Sequence, residues 1–114
     1  MTVDAHLERS EDGVRSMYAA LLVAAREYGP VTEEPKKTSI HLVRRTAFAG
    51  VAVRRSSLIL TLKSKSDVTH TRVIKSEQVS ANRWHIEVRL QAVSDVDRQL
   101  LGWLRAAYEA AGPA

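Results

Sequence analysis

Apolar positions in this chain follow two different periods, and the switch between them divides the sequence into elements. From Ser10 to Gly29, Val14, Met17, Tyr18, Leu21, Leu22, Ala25 and Tyr28 recur every three or four residues, the spacing that lines one side of an α-helix. Ser10 is the expected N-cap, Glu11 and Asp12 suit the electropositive first turn, and Gly29-Pro30 is a stop signal. A short extended piece, Val31 to Pro35, follows, and then the period drops to two. Ile40 and Leu42 point one way and His41 and Val43 the other, while Ala47 to Val53, with Phe48 and Gly50, reads as a second strand. Leu58, Leu60 and Leu62 alternate with Ile59, Thr61 and Lys63, and Trp84, Ile86, Val88 and Leu90 alternate with His85, Glu87, Arg89 and Gln91. A further strand is expected within Val68 to Val79, where neither face is consistently apolar and the pattern sets no register. Ser94 then opens a second helix, with Ser94-x-x-Asp97 spaced as a capping box and Asp95 in the first turn. Val96, Leu100, Leu101, Trp103, Leu104, Ala107, Tyr108 and Ala111 form its apolar stripe, and Gly112-Pro113 ends it. Gly102 inside this helix costs about 1 kcal/mol relative to Ala and suggests a close backbone approach.

The order helix, four or five antiparallel strands, helix predicts a two-layer α+β sandwich: a meander sheet with both helices on one face. Residues 1–9 read as an N-terminal tail and residues 10–112 as a single α+β domain, which 114 residues comfortably supply. The other sheet face is left open. By alternation it displays His41, Val43, Ile59, Thr61, His85, Glu87 and Arg89, and it is the expected working surface. It serves equally well as plain solvated sheet or as a seat for a second copy of the chain, so a homodimer stays open.

Composition removes whole classes of chemistry. With no Cys, disulfide scaffolds, thiolate zinc sites and thiol nucleophiles are all excluded, and a cytoplasmic setting is expected. Residues 1–13 lack the basic start and apolar run of a signal peptide, and nowhere do about 18 apolar residues run together, so no membrane association is expected. No phosphate-cradling Gly-rich loop, nucleophile elbow, zinc-protease motif or calcium loop occurs, and no cofactor or metal is expected. His41, His85 and Glu87 share the open face, but His85 and Glu87 are two residues apart on one strand, about 7 Å along it, wide for a direct hydrogen bond. Capping accounts for Asp95 and Asp97.

The net charge of +4 conceals a strong segregation: residues 36–75 carry ten Lys or Arg against Asp67 alone, whereas the flanking segments are net negative. The doublets Lys36-Lys37, Arg44-Arg45 and Arg54-Arg55 fall at strand ends. In a meander Lys36, Lys37, Arg54 and Arg55 cluster at one end of the sheet, and Arg44, Arg45, Lys63 and Lys65 at the other, roughly 20 Å away. That span suits several phosphates of a nucleic acid. Phe48 is the one aromatic in the basic segment, whereas single-strand binders interleave aromatics with cations. Three readings follow. The first is a non-enzymatic binding module using the open face, with His41, His85 and Arg89, and the basic strand ends for a protein partner or an anionic ligand. The second is a nucleic-acid-binding domain, and the third an enzyme with a His41, His85 and Glu87 site.

Three stretches carry a resemblance: Lys36-Lys37-Thr38-Ser39-Ile40-His41-Leu42-Val43-Arg44-Arg45, then Phe48-Ala49-Gly50-Val51, then Ser94-Asp95-Val96-Asp97 leading to Trp103-Leu104-Arg105-Ala106-Ala107-Tyr108-Glu109. Together they resemble the bacterial family called domain of unknown function 5655, over about residues 14–111. The resemblance implies a small α+β domain, alone or appended to others, and it implies no activity. Some relatives are labelled predicted transport proteins, which the absence of a membrane segment does not favour here. Many members have Pro where this chain has Val53, so the turn at Arg54-Arg55 departs from the pattern. Lys37 and Phe48 match the motif, but the family assigns them no role.

Overall fold

A computed structural model describes residues 1–112. Its elements run α1 (Val3–Leu7), α2 (Asp12–Tyr28), β1 (Thr32–Pro35), β2 (Ile40–Val43), β3 (Ala47–Val53), β4 (Leu58–Ser64), β5 (Val73–Ser80), β6 (Arg83–Leu90), a 3-10 turn (Val93–Asp95) and α3 (Arg98–Ala110). The fold is the expected two-layer α+β sandwich. The antiparallel sheet has six strands, because the extended piece after Gly29-Pro30 pairs with β2 from Thr32 to Pro35.

Strand order is β1-β2-β3-β4-β6-β5. The meander holds through β4, and the chain then crosses over so that β6 lies beside β4 and β5 takes the outer edge. A strong physical reason favours this order: β6 alternates cleanly and buries Ile86, Val88 and Leu90, whereas β5 carries two register shifts and is exposed over most of its length. A strand with one good apolar face gains most from a central position, and a polar, bulged one loses least at the edge. Arg72 pins the crossover: its guanidinium donates to both Asp97 carboxylate oxygens, at 2.8 and 3.0 Å, and to the Asp95 carbonyl at 2.7 Å.

Both long helices cover one face of the sheet. Val14, Met17, Tyr18, Leu21 and Ala25 of α2, with Leu100, Leu104, Ala107 and Tyr108 of α3, bury against Ile40, Leu42, Leu60, Leu62 and Val88. Phe48 sits where β2 and β3 slip register, and its ring meets Tyr108 edge-on at 5.2 Å. Gly29 ends α2 at φ 151°, a conformation L side chains rarely adopt, and a Cβ there would overlap the Tyr108 hydroxyl, which donates to the Pro30 carbonyl at 3.1 Å.

Several helix ends differ from the sequence reading. The N-cap of α2 is Glu11, not Ser10; Ser10 instead turns its hydroxyl back to the Leu7 carbonyl at 2.7 Å, because residues 3–7 already form a helix. That helix lies within the stretch read as a tail, and its Val3 and Leu7 pack on the core. Ser94 falls in the 3-10 turn, and α3 starts after Asp97, whose carboxylate accepts from the Leu100 N–H at 3.0 Å. Asp95 accepts from the Gln91 and Ala92 N–H groups instead. Gly102 faces open space, so no close approach explains it. Pro113, half of the expected stop signal, lies outside the described residues.

Candidate functional site

The open face is organised by β3, whose outward positions are small. One cross-strand row runs Glu34, His41, Gly50, Thr61, Glu87, Lys75, and in the next Ala52 stands opposite Ile59. With only hydrogen or methyl groups projecting from Gly50 and Ala52, β3 forms the floor of a trough of about 230 Å³. Ser39 and His41 form one wall, Thr61 and Lys63 the other, with His85 beyond them. A Cβ on Gly50 would meet His41 at 3.7 Å and Thr61 at 4.0 Å, ordinary contacts, so glycine here keeps the floor low without being forced by strain.

The electrostatics of the trough are one-sided, since none of its lining residues is Asp or Glu. Lys63 stands opposite His85 in the register and donates to the Thr46 hydroxyl at 3.0 Å. Partial burial, and then the neighbouring Arg83, hold its ammonium below the usual lysine range. The carboxylates nearest on the sheet are engaged elsewhere: Lys75 reaches Glu77 at 3.0 Å and Glu87 at 3.9 Å, and these two raise the Lys75 pKa. Arg83, which had no place in the sequence reading, thus acts on the trough from the start of β6. Its only signal was the polar alternation of that strand.

His41 and His85 do share the face and the trough, but β3 and β4 stand between their strands, roughly 14 Å at about 4.8 Å per strand. Glu87 does not line the trough; it lies with Arg54, Ile59, Ile74 and Arg89 around a separate hollow of about 500 Å³. The three groups of the suggested enzyme site are therefore not brought together. No cluster of three or more His, Asp or Glu side chains able to hold a metal occurs among the described residues.

The basic strand ends divide into two kinds. Lys36 and Lys37 follow β1 and Arg54 and Arg55 follow β3, at the same end of the sheet, where His6 spans them: its Nε2 lies 2.6 Å from the Lys36 carbonyl, and it shares a hollow with Arg54 and Arg55. Lys36 also reaches Glu34 at 3.3 Å. At the opposite end Arg44 is withdrawn into the protein, donating to the Tyr108 carbonyl at 3.2 Å with its guanidinium 4.3 Å from that ring's centroid. Arg45 remains exposed, Lys63 belongs to the trough, and Lys65 lies with Val68 and Trp103 along a groove beside α3. Phe48 is buried.

Among the described residues no helix is long and apolar enough to cross a membrane. No curated protein and no solved structure matches the chain. Its Lys36-Lys37 strand entry, Phe48-Ala49 strand and Asp97-to-Tyr108 helix occupy β2, β3 and α3, the elements that build the trough and cover its reverse side. The model of one family, described as Domain of unknown function (DUF5655), matches residues 3–111, nearly the whole chain, and the protein belongs to that family.

Proposed function

We propose that the protein is a non-enzymatic binding module whose trough along β3 takes a small organic anion. The observation that carries this reading is a lining with one ammonium, two imidazoles and the hydroxyls of Ser39 and Thr61, over an apolar Gly and Ala floor, with no carboxylate. Its volume lies below the about 300–1,000 Å³ of sites that enclose drug-sized ligands, so the occupant is small. Lys63 supplies the charge-assisted contact. An anion favours its protonated form, so affinity falls as pH rises through the Lys63 pKa, which burial and Arg83 place below the ordinary lysine range. A nucleic-acid partner is less well served, since Phe48 offers no stacking surface and Arg44 is engaged by α3. The absence of cysteine fits a reducing, cytoplasmic setting.

The test is amide chemical-shift perturbation of the whole chain, titrated with small dicarboxylates and phosphomonoesters. Saturable shifts centred on Gly50, Thr61, Lys63 and His85 are expected for at least one class. They disappear in Gly50→Val, whose methyl groups fill the trough on a strand that accepts β-branched residues, and in Lys63→Met. Shifts that survive Gly50→Val place the ligand elsewhere, and no saturable shift with either class removes the reading in favour of a protein partner.

A further inference from the structure

A second basic hollow, separate from the trough, lies where α1 meets the β3–β4 turn. α1 is held by the Thr2 hydroxyl, which accepts from the Ala5 N–H at 3.1 Å, and by Val3 and Leu7 on the core. His6 bonds the Lys36 carbonyl through Nε2, which must carry the proton because a carbonyl only accepts. The β3–β4 turn is closed by the Arg54 N–H to the Ser57 carbonyl at 2.9 Å and tied to α2 by the Glu11 N–H to the Arg55 carbonyl at 2.8 Å. Between these fixed pieces lies a space of about 400 Å³, lined by His6, Arg9, Ser10, Val53, Arg54 and Arg55.

Three arginines and a histidine therefore line one hollow. Arg15 pairs with Asp12, Arg26 with Glu33, Arg72 with Asp97 and Arg105 with Glu109, whereas Arg9, Arg54 and Arg55, like Arg44, Arg45, Arg83, Arg89 and Arg98, have no carboxylate within ion-pair distance among the described residues; what sets the three apart is that they line one hollow. Glu8 and Glu11, the acidic groups next in sequence, do not line the space. Like charges gathered without a counter-charge repel one another, and an anion in their midst reverses that repulsion. Each planar guanidinium fork matches a pair of phosphate oxygens. Three arginine forks exceed what the two oxygens of a carboxylate can satisfy, whereas a diphosphate offers enough oxygens for all three. We infer that this hollow is a binding site for the phosphate or diphosphate group of a small ligand, with Arg9, Arg54 and Arg55 as its ligating residues and His6 at its rim.

The experiment is calorimetric titration of the full chain with inorganic pyrophosphate at about 50 and about 200 mM salt. One saturable site is expected, weakening with salt. Arg9→Gln and Arg55→Gln each reduce its affinity about tenfold or more, while thermal melts show the fold intact. Lys63→Met and Gly50→Val leave it unchanged, which separates this site from the trough. Arg45→Gln, which removes the same charge from the exposed turn at the other end of the sheet, also leaves it unchanged. Absence of saturable binding at either salt overturns the proposal. So does an Arg45→Gln loss as large as that of Arg9→Gln, because the attraction would then be only the net charge of the surface.

Discussion

The two hairpin turns at opposite ends of β3 carry the same dipeptide, Arg44-Arg45 and Arg54-Arg55, yet the surrounding structure treats them differently. The β2–β3 turn lies against the C-terminal end of α3, where Arg44 donates to the Tyr108 carbonyl, which also accepts from the Ala111 N–H at 3.2 Å, and places its guanidinium over the Tyr108 ring. The β3–β4 turn lies against the N-terminal end of α2, where the unpartnered backbone groups are N–H donors, one of which, on Glu11, is taken by the Arg55 carbonyl. Arg54 and Arg55 line the hollow beside α1, and neither side chain bonds a carbonyl or carboxylate among the described residues. Of these two turns, the one whose arginine reaches a backbone carbonyl holds it in the structure, and the other leaves its pair available.

Removing what Arg44 leans on has the largest expected effect. Tyr108 contacts Phe48 and Tyr28, holds the Pro30 carbonyl and sits under Arg44, so Tyr108→Ala should cost about 3–5 kcal/mol in urea unfolding. Arg44→Ala comes next, at about 1–2 kcal/mol for a charge-assisted hydrogen bond and a cation–π contact, while Arg45→Ala changes the unfolding midpoint little. Equal effects of the two would erase the distinction between them.

The N-terminal end of α3 provides the opposite pairing, a carboxylate at the electropositive pole. Bonds from the Leu100 N–H and from Arg72 hold Asp97 below the usual carboxylate range. A folded-state pKa below the unfolded one makes this contribution complete above about pH 4 and lost as pH falls through the folded value. Melting temperature against pH should therefore decline less steeply on the acid side in Asp97→Asn than in the unmodified chain; parallel curves would show that the cap does not titrate as described. The smallest effect is expected for Arg54→Ala and Arg55→Ala, within about 0.5 kcal/mol, because neither has a bonded side-chain partner to lose. A gain in stability at low salt, shrinking as salt rises, would sharpen the contrast by revealing their mutual repulsion.

Much of the fold was legible because it rests on alternation. The buried sets of α2, β4 and β6 follow directly from the spacing of Val14, Met17 and Leu21, of Leu58, Leu60 and Leu62, and of Ile86, Val88 and Leu90. β5 was obscured because two bulges break its alternation and its edge position removes the demand for an apolar face. Helix starts misled where two capping residues compete: Ser10 and Ser94 have the right type, but α1 occupies the first, and Asp97 begins α3 after a separate turn takes the second. For the site, alternation put His41, Thr61 and His85 on one face, while the depression between them depends on what is missing from Gly50 and Ala52. The engagement of Arg44 depends on a contact with Tyr108 across 64 positions, which no local pattern encodes.

The helix layer is drawn from regions flanking the strands on either side, since α2 precedes them and α3 follows. On a ribosome adding about 5–20 residues per second, β2, β3 and β4 emerge seconds before the α3 residues that cover them. During that interval Leu42, Phe48 and Leu62 lack the cover that α3 gives them in the folded protein, and exposed apolar surface of this kind favours association. The bond from the Tyr108 hydroxyl to the Pro30 carbonyl, 78 positions back along the chain, forms only once α3 has been made.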